Sequence, residues 1–145
     1  MASSPAGQGP ILYGPSITLE DAKKAAAPAL AEARKNNWTM AVAIVDTGGN
    51  LVYFEKMDHT QLGSVKVALS KARSAALFKR PSKAFQETIA GGGAGLRAFA
   101  LQGAVPVEGG LPLVVGGRIV GAIGLSGDTS ENDGRCAKAG ADALR

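Results

Sequence analysis

Residues 111–125 read LPLVVGGRIVGAIGL, and the punctuation in the middle of that run decides the fold. Leu111–Val115 and Arg118–Leu125 are short apolar runs separated only by Gly116-Gly117. A two-residue connection between strands needs positive φ, which glycine adopts without a Cβ clash, so the stretch reads as a β-hairpin. Its near-continuous apolar content places it centrally in a sheet. Upstream, MAVAIVD at 40–46 and LVYFEKM at 51–57 flank Thr47-Gly48-Gly49-Asn50 and repeat the pattern. Two consecutive hairpins indicate an antiparallel sheet.

Around these hairpins the apolar period becomes helical. Thr18 is an N-cap with Asp21 three positions later, opening an Ala-rich helix to Asn36 or Asn37; Pro28 implies a kink or a later start. From Leu62, the residues Leu62, Val65, Leu69, Ala72 and Ala76 share one helical face, while Lys66, Ser70 and Arg73 share another. That helix ends near Phe78, stopped by Lys79-Arg80-Pro81-Ser82, and Ser82 can cap a short helix beyond. Ala90–Gly95 reads as a flexible connection. Asp128, Thr129 and Glu131 open a last helix through Cys136, Ala137, Gly140 and Leu144. Helices covering the faces of an antiparallel sheet give an α/β sandwich of the α+β class. Residues 1–16, rich in Pro, Gly and Ser, read as a flexible N-terminal tail before a single domain over 17–145.

A chain of 145 residues, 46% hydrophobic and 19% charged, fits one core and excludes two large domains. Twenty glycines without a Gly-X-Y period exclude collagen, and 5% aromatics leave the core to Ala, Val, Leu and Ile. Single Cys136 excludes an internal disulfide and a zinc ribbon. No signal-peptide pattern and no bilayer-length apolar run are visible, so a cytoplasmic protein off the membrane is expected. The net charge of +4 suits an anionic small molecule as well as a polyanion.

Four features bear on chemistry. The GGGAG stretch at 91–95 lacks the Lys and Ser/Thr of a phosphate loop. Gly124-Leu125-Ser126-Gly127-Asp128 falls one residue short of a nucleophile elbow, and Ser126 and Asp128 read as capping groups. His59, the one imidazole, follows Asp58 after the first hairpin and could ligate a metal or haem, move a proton, or be an exposed turn residue. From Gln61 to Gln86 the chain holds Lys66, Lys71, Arg73, Lys79, Arg80 and Lys83 with no acid. This run reads as a solvated face or as a carboxylate-recognition surface anchored by Arg73 or Arg80. Nucleic acid is not expected, since no aromatic interleaving accompanies the charge.

Val45-Asp46-Thr47-Gly48-Gly49-Asn50-Leu51, Phe54-Glu55-Lys56-Met57-Asp58, Ser64, Lys71-Ala72, Phe78 and Arg80-Pro81-Ser82 resemble the GlcG/HbpS-like family, also called the haem-degrading or DUF336 family. Gly109-Gly110-Leu111-Pro112-Leu113, Gly121–Gly127, Asp133 and Ala139-Gly140 extend the likeness over about 17–145. The resemblance implies a profilin-like α/β/α sandwich with an antiparallel five-stranded sheet, assembled as a homo-oligomer from dimer to octamer. It also implies haem or a related tetrapyrrole as ligand, as in the PduO C-terminal module. On that reading Met57, Lys71, Arg73, Phe78 and Arg80 form the ligand-binding set, with His59 or Met57 at iron. The alternative is a cofactor-free lyase or isomerase of small aromatic carboxylic acids in a catabolic pathway, like the hydroxylaminobenzoate lyases. There Arg73 or Arg80 would hold the carboxylate, and Asp46, Glu55, Asp58 or His59 would move protons. A purely structural subunit is the third reading. The sequence departs from the family pattern at His59, where a small residue is common, and at Asp128, where a second Gly often follows Ser-Gly.

Overall fold

The computed structural model describes residues 11–145, so most of the stretch read as a tail lies outside the described residues. Helix α1 spans Leu19–Lys35, and Thr18 Oγ1 accepts the N–H of Asp21 as the capping sequence predicts. Pro28 neither ends the helix nor delays its start. The amide it lacks would have bonded the carbonyl of Lys24, an exposed residue whose carbonyl water can reach. There follow β1 (Ala41–Asp46), β2 (Leu51–Lys56), α2 (Ser64–Phe78), α3 (Ser82–Ala90), a 3-10 helix (Gly93–Ala100), β3 (Gly110–Val115), β4 (Arg118–Ser126) and α4 (Ser130–Asp142). The stretch expected to be a flexible connection thus runs into a 3-10 helix. Ser82 starts α3 rather than capping it: its hydroxyl donates to Val107 O at 2.6 Å and accepts the Gly110 N–H at 2.9 Å.

The strands form one antiparallel sheet in the order β2-β1-β4-β3. Gly116 and Gly117 have φ of 59° and 77°, the paired positive values that the tight turn requires. Two expectations are corrected. Of the second hairpin only β4 is central; β3 is an edge, where Pro112 withholds an N–H that a further strand would need. Among the described residues four strands form rather than five. Beside the end of β4, where β1 has stopped opposite Gly121, Gly14 and Ile17 donate to the carbonyls of Ile119 and Val120, with one parallel bridge at Tyr13.

Alternation along the strands separates two buried faces. Val42, Ile44, Ile123 and Leu125 pack with Leu30 of α1 and Cys136 and Ala137 of α4. Ala41, Ala43, Val45 and Ala122 meet Ala68, Ala72, Ala75 and Ala76 of α2. The buried row of α2 keeps Ala72 and Ala76 of the predicted one but departs from it otherwise: Leu62, before the helix, is 80% exposed and Val65 is also exposed, whereas Ser64, Ala68, Lys71 and Ala75 are buried. Gly124 explains the shift. A Cβ there would lie 2.1 Å from the Ala68 carbonyl oxygen, so helix and strand backbones are in contact and only small side chains fit between them.

Candidate functional site

At the C-terminal end of α2 the chain turns through Lys79, in the left-handed conformation at φ 55°, and Pro81 begins the next segment. This turn brings Arg80 to a recess of about 480 Å³ between α3 and the 3-10 helix, walled by Ala84, Phe85, Ala98 and Leu101, with Arg97 opposite in sequence. Arg80 Nε donates to the Phe78 carbonyl at 2.9 Å, and its guanidinium carbon sits 5.3 Å from the Phe85 ring centre. Phe78 in turn meets Phe85 edge-on at 5.3 Å. The aromatic pair therefore fixes the arginine while its terminal nitrogens remain available. Arg97 makes no side-chain hydrogen bond or ion pair among the described residues. Two planar cations on an apolar wall can take up carboxylates by paired hydrogen bonds.

The six cations of the run do not form one patch. Lys71, 1% exposed, donates to Asp133 Oδ2 and to the Leu125 carbonyl, both at 3.0 Å. Glycine at 109 and 110 leaves room for it, since a Cβ on Gly109 would lie 2.8 Å from Lys71 Nζ. Asp133 also accepts the Asp128 N–H, and burial pushes its carboxyl above the ordinary range against the opposing pull of that bond and of Lys71. Lys79 Nζ donates to the Ile11 carbonyl and lies 4.7 Å from the Tyr13 ring centre. Arg73 lies apart, beside the first hairpin, in a small recess of about 150 Å³ with Ser70, Leu77 and Val105.

The acids and His59 are dispersed. Asp46 Oδ1 accepts the N–H groups of Gly48 and Asn50 at 2.9 Å each and so builds the hairpin loop. Glu55 accepts the Tyr53 hydroxyl at 2.6 Å and pairs with Arg34 at 3.8 Å. Met57 Sδ accepts the Met40 N–H at 3.4 Å and packs on the α1/α4 core. Asp58 and His59 are exposed in the turn before α2, His59 at φ 69°. A 15-residue helix, about 22 Å long, separates that turn from Arg80. Among the described residues no three His, Cys, Asp or Glu side chains gather as a metal cage. Burial pushes the Cys136 thiol up to about 12, which leaves it an inert core group. Ser126 does not cap as expected: its buried hydroxyl donates to that of Ser64 at 3.0 Å, and the N-cap of α4 is Thr129, while Asp128 accepts the Thr129 N–H and the Asn132 side-chain amide.

Sequence reasoning missed Arg97 and the partnership of Lys71 with Asp133. Arg97 sits two residues beyond the glycine run in Leu96-Arg97-Ala98-Phe99, an apolar context that a flexible connection would not carry. Asp133 lies 62 residues from its lysine, beyond any local spacing rule.

An antiparallel sheet covered by helices on both faces, with an arginine-bearing recess at one corner, defines an α+β sandwich domain. A family profile described as haem degrading protein HbpS-like matches residues 17–142, and the chain belongs to that HbpS-like family. Protein GlcG of Escherichia coli (strain K12) is 38% identical over 95 residues, 66% of this chain and 69% of GlcG. The HbpS double mutant of Streptomyces reticuli superposes with a TM-score of 0.82 at 28% identity, covering 100% of this chain and 99% of that one. The structure described as a PduOC:heme complex shares the fold, with a TM-score of 0.79 at 24% identity over 90% of this chain and 96% of its own.

Proposed function

We propose that this protein binds haem or a related anionic tetrapyrrole at the recess between α3 and the 3-10 helix. The carrying observation is the pairing of Arg80 and Arg97 with the apolar wall of Phe85, Ala98 and Leu101. A volume of about 480 Å³ lies within the usual range for ligand pockets, and a macrocycle bearing two propionates supplies an apolar face and two anchors. The donor set fits this group in one respect and not in another. The arginines suit the carboxylates, but no His, Met, Cys or Tyr lines the recess to ligate iron. Binding is therefore anchored by the propionates and the apolar wall, and bound haem would bring its redox-active iron to that corner. His59 is not assigned to it.

A homo-oligomer is part of this reading. Leu96 and Phe99 of the 3-10 helix, the latter 68% exposed, and Leu101 just after it present apolar surface that a second copy would cover. The lyase reading draws less support, because Asp46, in the hairpin loop beside Arg73, is engaged by the N–H groups of Gly48 and Asn50, Glu55 is engaged by Tyr53 and Arg34, and none of Asp46, Glu55 or Asp58 lines the Arg80 recess.

Haem titration followed by visible spectroscopy, with light scattering on the same samples, tests the proposal. A saturable Soret change is expected on an oligomer, and Arg80→Met or Arg97→Met should each weaken binding by about 1–3 kcal/mol, as for hydrogen bonds to charged groups. A parent chain without any Soret change, or unchanged affinity in both folded variants, overturns it.

A further inference from the structure

A second cavity, of about 280 Å³, lies between the start of α3, the lead into β3 and one stripe of α4, and shares no lining residue with the Arg80 recess. The α4 stripe is Gly134, Lys138 and Ala141, at helical spacing on one side; Pro81, Lys83, the run from Glu108 to Leu111, Asp142 and Arg145 complete the wall. Gly134 weakens a helix interior, yet its missing Cβ is what admits Glu108: a Cβ there would sit 2.3 Å from Glu108 Oε2. The Glu108 backbone is pinned by an N–H donated to Gln86 Oε1 at 2.8 Å, while its carboxyl makes no hydrogen bond or ion pair among the described residues. Burial pushes that carboxyl above its ordinary range; Glu131 and Glu87 push the same way, and Lys83 and Lys71 oppose. Lys138 is held by Asp142 at 2.6 Å, but Lys83 has no ion-pair partner among the described residues.

An unpartnered carboxyl and an unpartnered ammonium thus share a cavity whose wall is apolar at Pro81, Leu111 and Ala141. We propose that it binds a small carboxylic acid of one ring or comparable bulk: its carboxylate is drawn to Lys83, its carbon body rests on Leu111 and Ala141, and a second polar group bonds to Glu108. Size sets the class. A dry cavity of about 150 Å³ holds benzene, so this one accommodates a ring with two substituents and is too small for a macrocycle. The inference does not depend on tetrapyrrole binding.

Two-dimensional amide NMR spectra of the protein titrated with para-hydroxybenzoate test it. Saturable shifts should centre on Glu108, Gly109, Gly110 and Gly134. Lys83→Met should weaken binding about tenfold, the order expected for losing a charged hydrogen bond, while Arg80→Met should leave it unchanged. Shifts centred on Ala84, Thr88 and Arg97, no saturable shift at all, or full affinity in a folded Lys83→Met variant would overturn it. The map on the parent chain decides even if a variant fails to fold. Because haem affinity is read at Arg80 and Arg97, the two proposals fail separately.

Discussion

The two faces of the sheet are built on opposite principles. Toward α1 and α4 the strands offer Val42, Ile44, Leu113, Ile123 and Leu125, an interlocked layer of large side chains. Toward α2 they offer Ala41, Ala43, Ala122 and the bare backbone of Gly124, and the helix answers with alanines. The first face is held by apolar area, the second by close contact of backbones. Close contact also leaves little room for large apolar side chains, so Leu62, Val65, Val67 and Leu77 are exposed. It lets Lys71 start on the α2 side and pass the glycines at 109 and 110 to reach Asp133 of α4. The thin face thus carries both the arginine-bearing corner and the buried charged tie from α2 to α4.

Cutting that tie should have the largest effect. Lys71 and Asp133 side chains are only 2% and 3% exposed, so Lys71→Met leaves a buried carboxyl without its counter-charge, a loss of about 3–5 kcal/mol. Lys71→Met combined with Asp133→Asn should recover most of the loss, because the remaining side chain is neutral. Urea midpoints check this, and a single variant as stable as the parent would mean that the layers do not depend on the pair.

The next comparison sets the two faces directly against each other. Leu30→Ala on the thick face opens a cavity and should cost about 2–5 kcal/mol. On the thin face Gly124→Ala adds a single methyl and should cost about 1–3 kcal/mol by pushing α2 off β4. The two should also differ in kind. Only Gly124→Ala is expected to alter the Arg80 corner and weaken haem, since α2 leads into it. Equal haem affinity in both would separate the packing of α2 from the site.

The same contrast explains what could be read from the sequence. Both hairpins were visible in Thr47–Asn50 and Gly116-Gly117, and the caps at Thr18 and Thr129 marked two helix starts, because these signals are local backbone chemistry. The thick face follows the apolar period. The thin face does not, because Ala and Gly carry little hydropathy contrast, so the larger Leu62 and Val65 were read as the buried side of α2. Lys71 looked like one more surface cation for the same reason: what buries it is the absence of side chains at 109 and 110. Of the candidate site, Arg80 stood out in the cationic run and its proline stop, whereas Phe78 entered only with the family resemblance. Arg97 was not, since its approach to Arg80 depends on how the 3-10 helix folds back on α3.

The smallest effect lies at the seam where the two faces meet, at Glu108. Its carboxyl titrates above the ordinary glutamate range in the folded chain because burial disfavours the charge. At lower pH the folded and unfolded chains both hold the proton, and the group contributes no pH dependence. Once pH passes the unfolded value the unfolded chain releases its proton first, so stability falls as pH rises until the folded carboxyl has ionised as well. Glu108→Gln removes this decline, and relative to the parent the variant should gain stability between pH 4 and 7, by less than about 1 kcal/mol for so partly exposed a group. Urea unfolding of both proteins at the two pH values isolates the effect, since Asp133 and every other titrating group is common to them. A gap that stays constant would show that the seam holds Glu108 as water would; one that closes when para-hydroxybenzoate is present would show the ligand supplying the partner this carboxyl lacks.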